Sequence, residues 1–114
     1  MKVFNKTRNC EIANNAEVAQ SLLERMKGLL GRKNLAEGEG LLLKPCFQIH
    51  TFFMKFPIDV LFLTNGYEVI KTITNFKPFR ISNLYMRSGS ALELPCGVIE
   101  KTKTEAGDLI SFEN

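Results

Sequence analysis

A single histidine and three cysteines, none of them in a CxxC pair, stand among the 114 residues of this chain. An odd set of thiols without paired spacing excludes a disulfide framework and gives no zinc-ligand pattern. No run approaches the roughly 18–20 apolar residues of a membrane-spanning helix. The opening MKVFNKTRNCEIANN holds neither the apolar core nor the small-residue cleavage site of an export signal. These absences predict a cytoplasmic chain with reduced thiols and no membrane partner. Net charge is small as well, at +3, with nine Lys/Arg against five Asp/Glu in residues 1–57 and six against seven in the rest. That balance gives no argument for nucleic acid or an anionic membrane. Repeats, low-complexity tracts and linkers are missing, so residues 1–114 read as one domain, long enough to bury a core without staples.

What is present is mostly strand-like. Residues 2–5 and 10–13 read as short strands around a polar turn, Lys6 to Asn9. Asn14 offers a helix cap with Glu17 in capping-box register. Ala16, Ala19, Leu22, Leu23, Met26, Leu29 and Leu30 then follow at helical spacing, with Gly28 and Gly31 as stops. This spacing predicts one amphipathic helix over about residues 15–28. Beyond it, 40–44, 47–54, 58–64, 67–74, 91–94 and 108–112 read as strands punctuated by Pro45, Pro57 and Pro95. Asn65-Gly66 is a hairpin signal of the type with positive φ at both central residues, and 97–104 suggests a helical turn. Many short strands and one helix define a mainly β domain (β-rich α+β), a sandwich or partly open barrel with the N-terminal helix packed on a sheet.

The chemistry concentrates in Pro45–Leu63, PCFQIHTFFMKFPIDVLFL, which holds the one histidine, His50, with Met54 and a lone acid, Asp59, in an apolar run. A buried polar group there needs a partner, since an unsatisfied one costs on the order of 1–3 kcal/mol. If 47–56 is a strand, Cys46, His50 and Met54 fall on one face. Their softness suits Cu(I), but four strand residues span about 13 Å, too far for neighbours to share one ion. The alternatives for His50 are a core imidazole hydrogen-bonded to main chain or a ring facing a ligand. Asp59, between apolar neighbours, calls for a partner, with Arg25 the first candidate and Glu93 the second. Asp59 and Glu93 together with His50 would instead make an acid–base set. Lys71 to Arg87 interleaves four basic residues with Phe76, Phe79 and Tyr85 and contains no acid. Such a pattern can stack on single-stranded nucleic acid but is commonly a solvated surface, and nucleic acid is not the expected partner.

ERMKGLLGR (Glu24–Arg32), GEGLLL (Gly38–Leu43), IHTFFMKFPIDVLFL (Ile49–Leu63), LELPCG (Leu92–Gly97) and GDLISF (Gly107–Phe112) occur in this order. Together they resemble the domain-of-unknown-function family 192, over nearly the whole chain from about residue 15. The resemblance implies a jelly-roll-like β-sandwich carrying one helix, and no established activity. It puts Arg25, Gly28, His50, Met54, Asp59, Glu93 and Gly97 at signature positions. Cys96 stands where the family more often has a small residue such as alanine, which gives it no special role.

The expectation is a non-catalytic binding or accessory domain with a site for a small polar ligand, carbohydrate for instance, near His50, Met54, Asp59 and Glu93. Arg25, Gly28 and Gly97 are expected to be structural, and no cofactor is called for. An enzyme using Asp59 or Glu93 with His50 is the first alternative, and soft-metal binding by His50, Met54 and a cysteine the second.

Overall fold

The computed structural model describes residues 1–19, 34–52 and 54–114. Its elements run β1 (Lys2–Asn5), β2 (Cys10–Ala13), β3 (Asn15–Ala19), β4 (Glu39–Leu43), β5 (Ile58–Leu63), β6 (Val69–Phe76), β7 (Ser90–Pro95), α1 (Val98–Thr102) and β8 (Ile110–Glu113). A three-stranded sheet has the order β2-β1-β8, and a five-stranded sheet the order β3-β4-β7-β5-β6. The domain is mainly β, with two sheets, one short helix among the described residues and no closed barrel.

The central strand β5 explains the layering. All six residues of IDVLFL are buried, as a strand covered on both faces requires. Leu61 and Leu63 point into the core between the sheets, where they meet Leu42, Leu92 and Leu94, Val3, Ile12 and Ile110 of the small sheet, and Ile99 of α1. Ile58, Val60 and Phe62 point the other way, into a second core with Leu41, Leu43 and Ala91. Two connections cover that second face. Leu43 pairs with Ala91, whereas Ile58 pairs with Pro95 and Phe76. The chain from β4 to β5 therefore crosses the sheet from one end to the other, and the chain from β6 to β7 crosses back. Cys46, Ile49 and Met54 from the first crossing are buried in the second core, and Tyr85 from the second crossing packs on it, its ring 4.6 Å from that of Phe62. We call these crossings, residues 44–57 and 77–89, the two arms.

Three local expectations are corrected. Asn15–Ala19 is not the start of a helix: it pairs in parallel with β4, from Asn15↔Glu39 to Ala19↔Leu43. The backbone of Asn14 and Asn15 is spent on Gly38, both amides donating to its carbonyl at 2.9 Å, so no cap forms; strand pairing across the fold overrides local helical spacing. The remainder of that stripe, including Leu22, Leu23, Met26, Leu29, Arg25 and Gly28, lies outside the described residues. Among the described residues of 47–54 there is no strand beyond an isolated bridge of His50 to Ile81, because the main chain of Phe47, Ile49 and Thr51 bonds to the other arm instead of to the sheet. The Asn65-Gly66 connection is closed by the Tyr67 amide donating to the Thr64 carbonyl at 2.9 Å, and the left-handed residue is Tyr67, at φ 67°, not the two central residues. Its ring is held edge-on to Phe112 at 4.8 Å.

Candidate functional site

Asp59 is 1 % exposed, and its carboxylate is filled by main chain. Oδ1 accepts from the Asn75 amide at 2.9 Å, and Oδ2 accepts from the amides of Gly97 and Ile99, each at 3.0 Å. One side chain on β5 thus fastens the end of β6 and the first turn of α1. Gly97, at φ 98°, starts that turn; a Cβ there would meet nothing within 4 Å, so the demand for glycine is conformational. The expected pairing of Asp59 with Arg25 involves a residue outside the described ones. Three N–H donors already satisfy an acid that the apolar run made conspicuous.

Glu93 does not join Asp59. On neighbouring strands Asp59 lies opposite Leu94 and Val60 opposite Glu93, so alternation sends the two carboxyls to opposite faces of the sheet. Glu93 faces the second core, beneath the arms, and is 5 % exposed. No hydrogen bond to its carboxyl is present among the described residues, and burial pushes its pKa up to about 7. Met54, on the same face, is 5 % exposed and fills space among Ile49, Ile58 and Phe62.

His50 departs furthest from expectation. It is exposed, its ring stacked on Phe52 at 5.2 Å, with no side-chain hydrogen bond to a described residue. The core-imidazole reading fails because Ile49 and Thr51, not His50, turn inward. Cys46 and Met54 are buried while His50 faces outward, so the three soft ligands do not converge. Among the described residues no group of three His, Cys, Asp or Glu side chains comes together to hold an ion.

What holds the arms was not visible in the sequence. Thr51, fully buried, donates through Oγ1 to the Lys77 carbonyl at 2.6 Å and accepts from the Arg80 amide at 3.0 Å. Ser82 Oγ accepts from the Ile49 amide at 3.0 Å and donates to the Asn83 carbonyl at 2.9 Å. Main-chain bonds Thr51 N to Arg80 O, Phe79 N to Thr51 O, Ser82 N to Ile49 O and Tyr85 N to Phe47 O, at 2.8–3.0 Å, complete the pairing. Inward residues serve the second core; outward ones leave Phe47, Phe52, Ile81, Leu84 and Met86 exposed.

A second buried polar cluster also escaped sequence reading. Asn5 Nδ2 donates to Thr104 Oγ1 at 3.0 Å and to Asp108 Oδ2 at 2.9 Å, and Arg8 Nε reaches the same oxygen at 2.8 Å. Burial alone would raise the Asp108 carboxyl, but bonds from Asn5, Arg8 and the Glu105 amide, with the Arg8 charge, hold it below its usual range. The cluster ties the β1–β2 turn to the loop before β8. No disulfide links Cys10, Cys46 and Cys96. Partial burial and the neighbouring Asp59 charge push the Cys96 thiol up, which disfavours the thiolate that a nucleophile needs. Two shallow grooves lined by described residues lie elsewhere, around Thr7, Arg8 and Lys101 and around Phe4 and Asn9.

The molecule is therefore a two-sheet β domain whose third layer is a pair of cross-braced arms. The chain belongs to the DUF192 family (Uncharacterized ACR), whose pattern matches residues 3–112. A UPF0127 protein of Pyrococcus horikoshii is 32 % identical over 113 residues, covering 96 % of this chain and 97 % of that one. Another, from Thermococcus sibiricus, is 30 % identical over 118 residues, covering 97 % and 74 %. In fold, the chain is similar to a crystal structure of a protein of unknown function from Novosphingobium aromaticivorans, with TM-score 0.85 at 20 % identity over 98 % of this chain and 84 % of that one. It is a domain of an uncharacterised family, and no helix among the described residues is long and apolar enough to cross a membrane.

Proposed function

We propose that this protein is a non-catalytic, cytoplasmic binding domain whose working face is the outer surface of the two arms. The observation that carries this is the exposure of Ile81 (58 %), Leu84 (58 %) and Met86 (72 %) on one arm beside Phe47 and Phe52 of the other. Large apolar residues exposed together on two paired segments of a small domain mark a place where something docks, and here the segments are braced by buried hydroxyls. Against catalysis stands the separation of the acid–base candidates: Asp59 is filled by amides, Glu93 lies beneath the arms and His50 lies outside them. A carbohydrate or other small polar ligand near His50 has less support, because such ligands need converging polar groups, and the ring's neighbour is Phe52. The jelly-roll-like frame carries the arms.

Anilinonaphthalene sulfonate, an apolar anion whose emission rises in dry surroundings, tests this face. The native protein should bind it saturably, and the triple variant Ile81→Ser/Leu84→Ser/Met86→Ser should lose most of the signal while keeping its melting temperature. No binding by the native protein, or equal binding by the variant, rejects the reading.

A further inference from the structure

We infer that the arms dock this domain onto an anionic lipid surface, an inference that rests on the binding face just described and names its partner. The arms divide the charge of the chain unevenly. Residues 44–57 and 77–89 hold Lys44, Lys55, Lys77, Arg80 and Arg87, five of the fifteen Lys/Arg, and none of the twelve Asp/Glu. They thus carry +5 while the remaining residues sum to −2, and the overall net charge of +3 hides this segregation. Lys55, Lys77, Arg80 and Arg87 are exposed, as is His50, so the segments that expose the apolar residues also expose cations and carry no acid.

The apolar residues decide which anion is met. A nucleic-acid strand would use the phenylalanine rings and the cations but leave Ile81, Leu84 and Met86 in water, since stacking on bases is the work of flat side chains. A helical peptide would need a groove to lie in, whereas Ile81, Leu84 and Met86 stand out with more than half of each residue's surface in solvent. A lipid surface supplies phosphate and acyl carbon within one thin layer, which suits protruding aliphatic residues that share their segments with exposed Lys and Arg. Cross-bracing by Thr51 and Ser82 holds the two arms together, so their tips enter as one unit. That no helix among the described residues is long and apolar enough to cross a membrane bears on spanning one, not on resting upon it.

Sedimentation with vesicles of phosphatidylcholine mixed with phosphatidylglycerol tests the inference, with pure phosphatidylcholine vesicles and single-stranded oligothymidylate in parallel. The protein should sediment with the anionic vesicles, weakly or not at all with neutral ones, and progressively less as salt rises. Ile81→Ser/Leu84→Ser/Met86→Ser should weaken partitioning by about tenfold or more, and Lys77→Gln/Arg80→Gln/Arg87→Gln by a similar factor. Circular dichroism melts establish that each variant is folded, and the single change Met86→Ser serves if a triple variant is not. Absence of vesicle binding while the dye still binds the native arms overturns the lipid assignment and leaves the binding face standing. Loss of both overturns both. Oligothymidylate binding without vesicle binding, or vesicle binding indifferent to both sets of substitutions, also overturns it.

Discussion

Asp59 and Glu93 sit on adjacent strands of one sheet and point to opposite faces of it, one register step apart. The first is wrapped by three main-chain amides at 2.9–3.0 Å; the second lies among hydrocarbon with its carboxyl pushed up to about 7. Two acids that look alike in sequence thus have opposite energetic consequences.

Asp59→Ala should be among the most damaging single changes in the domain. It leaves the amides of Asn75, Gly97 and Ile99 without their acceptor, at a cost of roughly 3 kcal/mol or more given about 1–3 kcal/mol per orphaned buried group. Urea melts check this, and a loss below about 1 kcal/mol would mean that water replaces the carboxylate at little cost.

Glu93→Gln should stabilise the protein at neutral and higher pH. A carboxyl raised from 4.5 to about 7 favours its protonated form in the fold. Its contribution is full below the unfolded value near 4.5 and is lost as pH rises through about 7. The variant should gain on the order of 3 kcal/mol well above pH 7, nothing near pH 4, and show a flatter stability profile between. Parallel pH-dependent melts of the two proteins decide it; identical slopes would show that Glu93 does not titrate as its burial demands.

His50→Ala should leave the fold nearly untouched, within about 0.5 kcal/mol, because an exposed ring loses only its stacking on Phe52. A drop of about 2 kcal/mol or more in a thermal melt would return the imidazole to the interior.

Gly97→Ala should cost about 1–2 kcal/mol through backbone strain alone, as a Cβ at φ 98° has room but an unfavourable conformation. Denaturant titration reads the loss, and an unchanged midpoint would show that the turn before α1 relaxes freely.

The strands were legible where burial alone dictates them. β5 announced itself as a continuous apolar run, and β1, β2, β4, β7 and β8 followed from short apolar segments between turn residues. β3 was not legible, since Ala16 and Ala19 stand three apart as on a helix, and only the unpaired edge of β4 made a strand of them. The arms were half legible. The basic and aromatic mixture of Lys71 to Arg87 stood out, but its pairing with residues 47–51 depends on the hydroxyls of Thr51 and Ser82, which any surface loop could carry. Asp59 was conspicuous and its satisfaction was not: its partners are main-chain amides, and these leave no mark on side-chain sequence.

β6 closes one side of the five-stranded sheet, and its geometry has a bearing on solubility. Its first residues are occupied, with the Val69 amide donating to the Asp108 carbonyl and the Gly107 amide to the Val69 carbonyl, both at 2.8 Å. Further along, the pairing with β5 slips between Ile58 and Val60, as it does between Phe62 and Leu63, and Asn75 turns left-handed at φ 51°. A kinked border of this kind is a poor template for another chain's strand. Crowded copies therefore find little purchase for edge-to-edge growth along this border of the sheet.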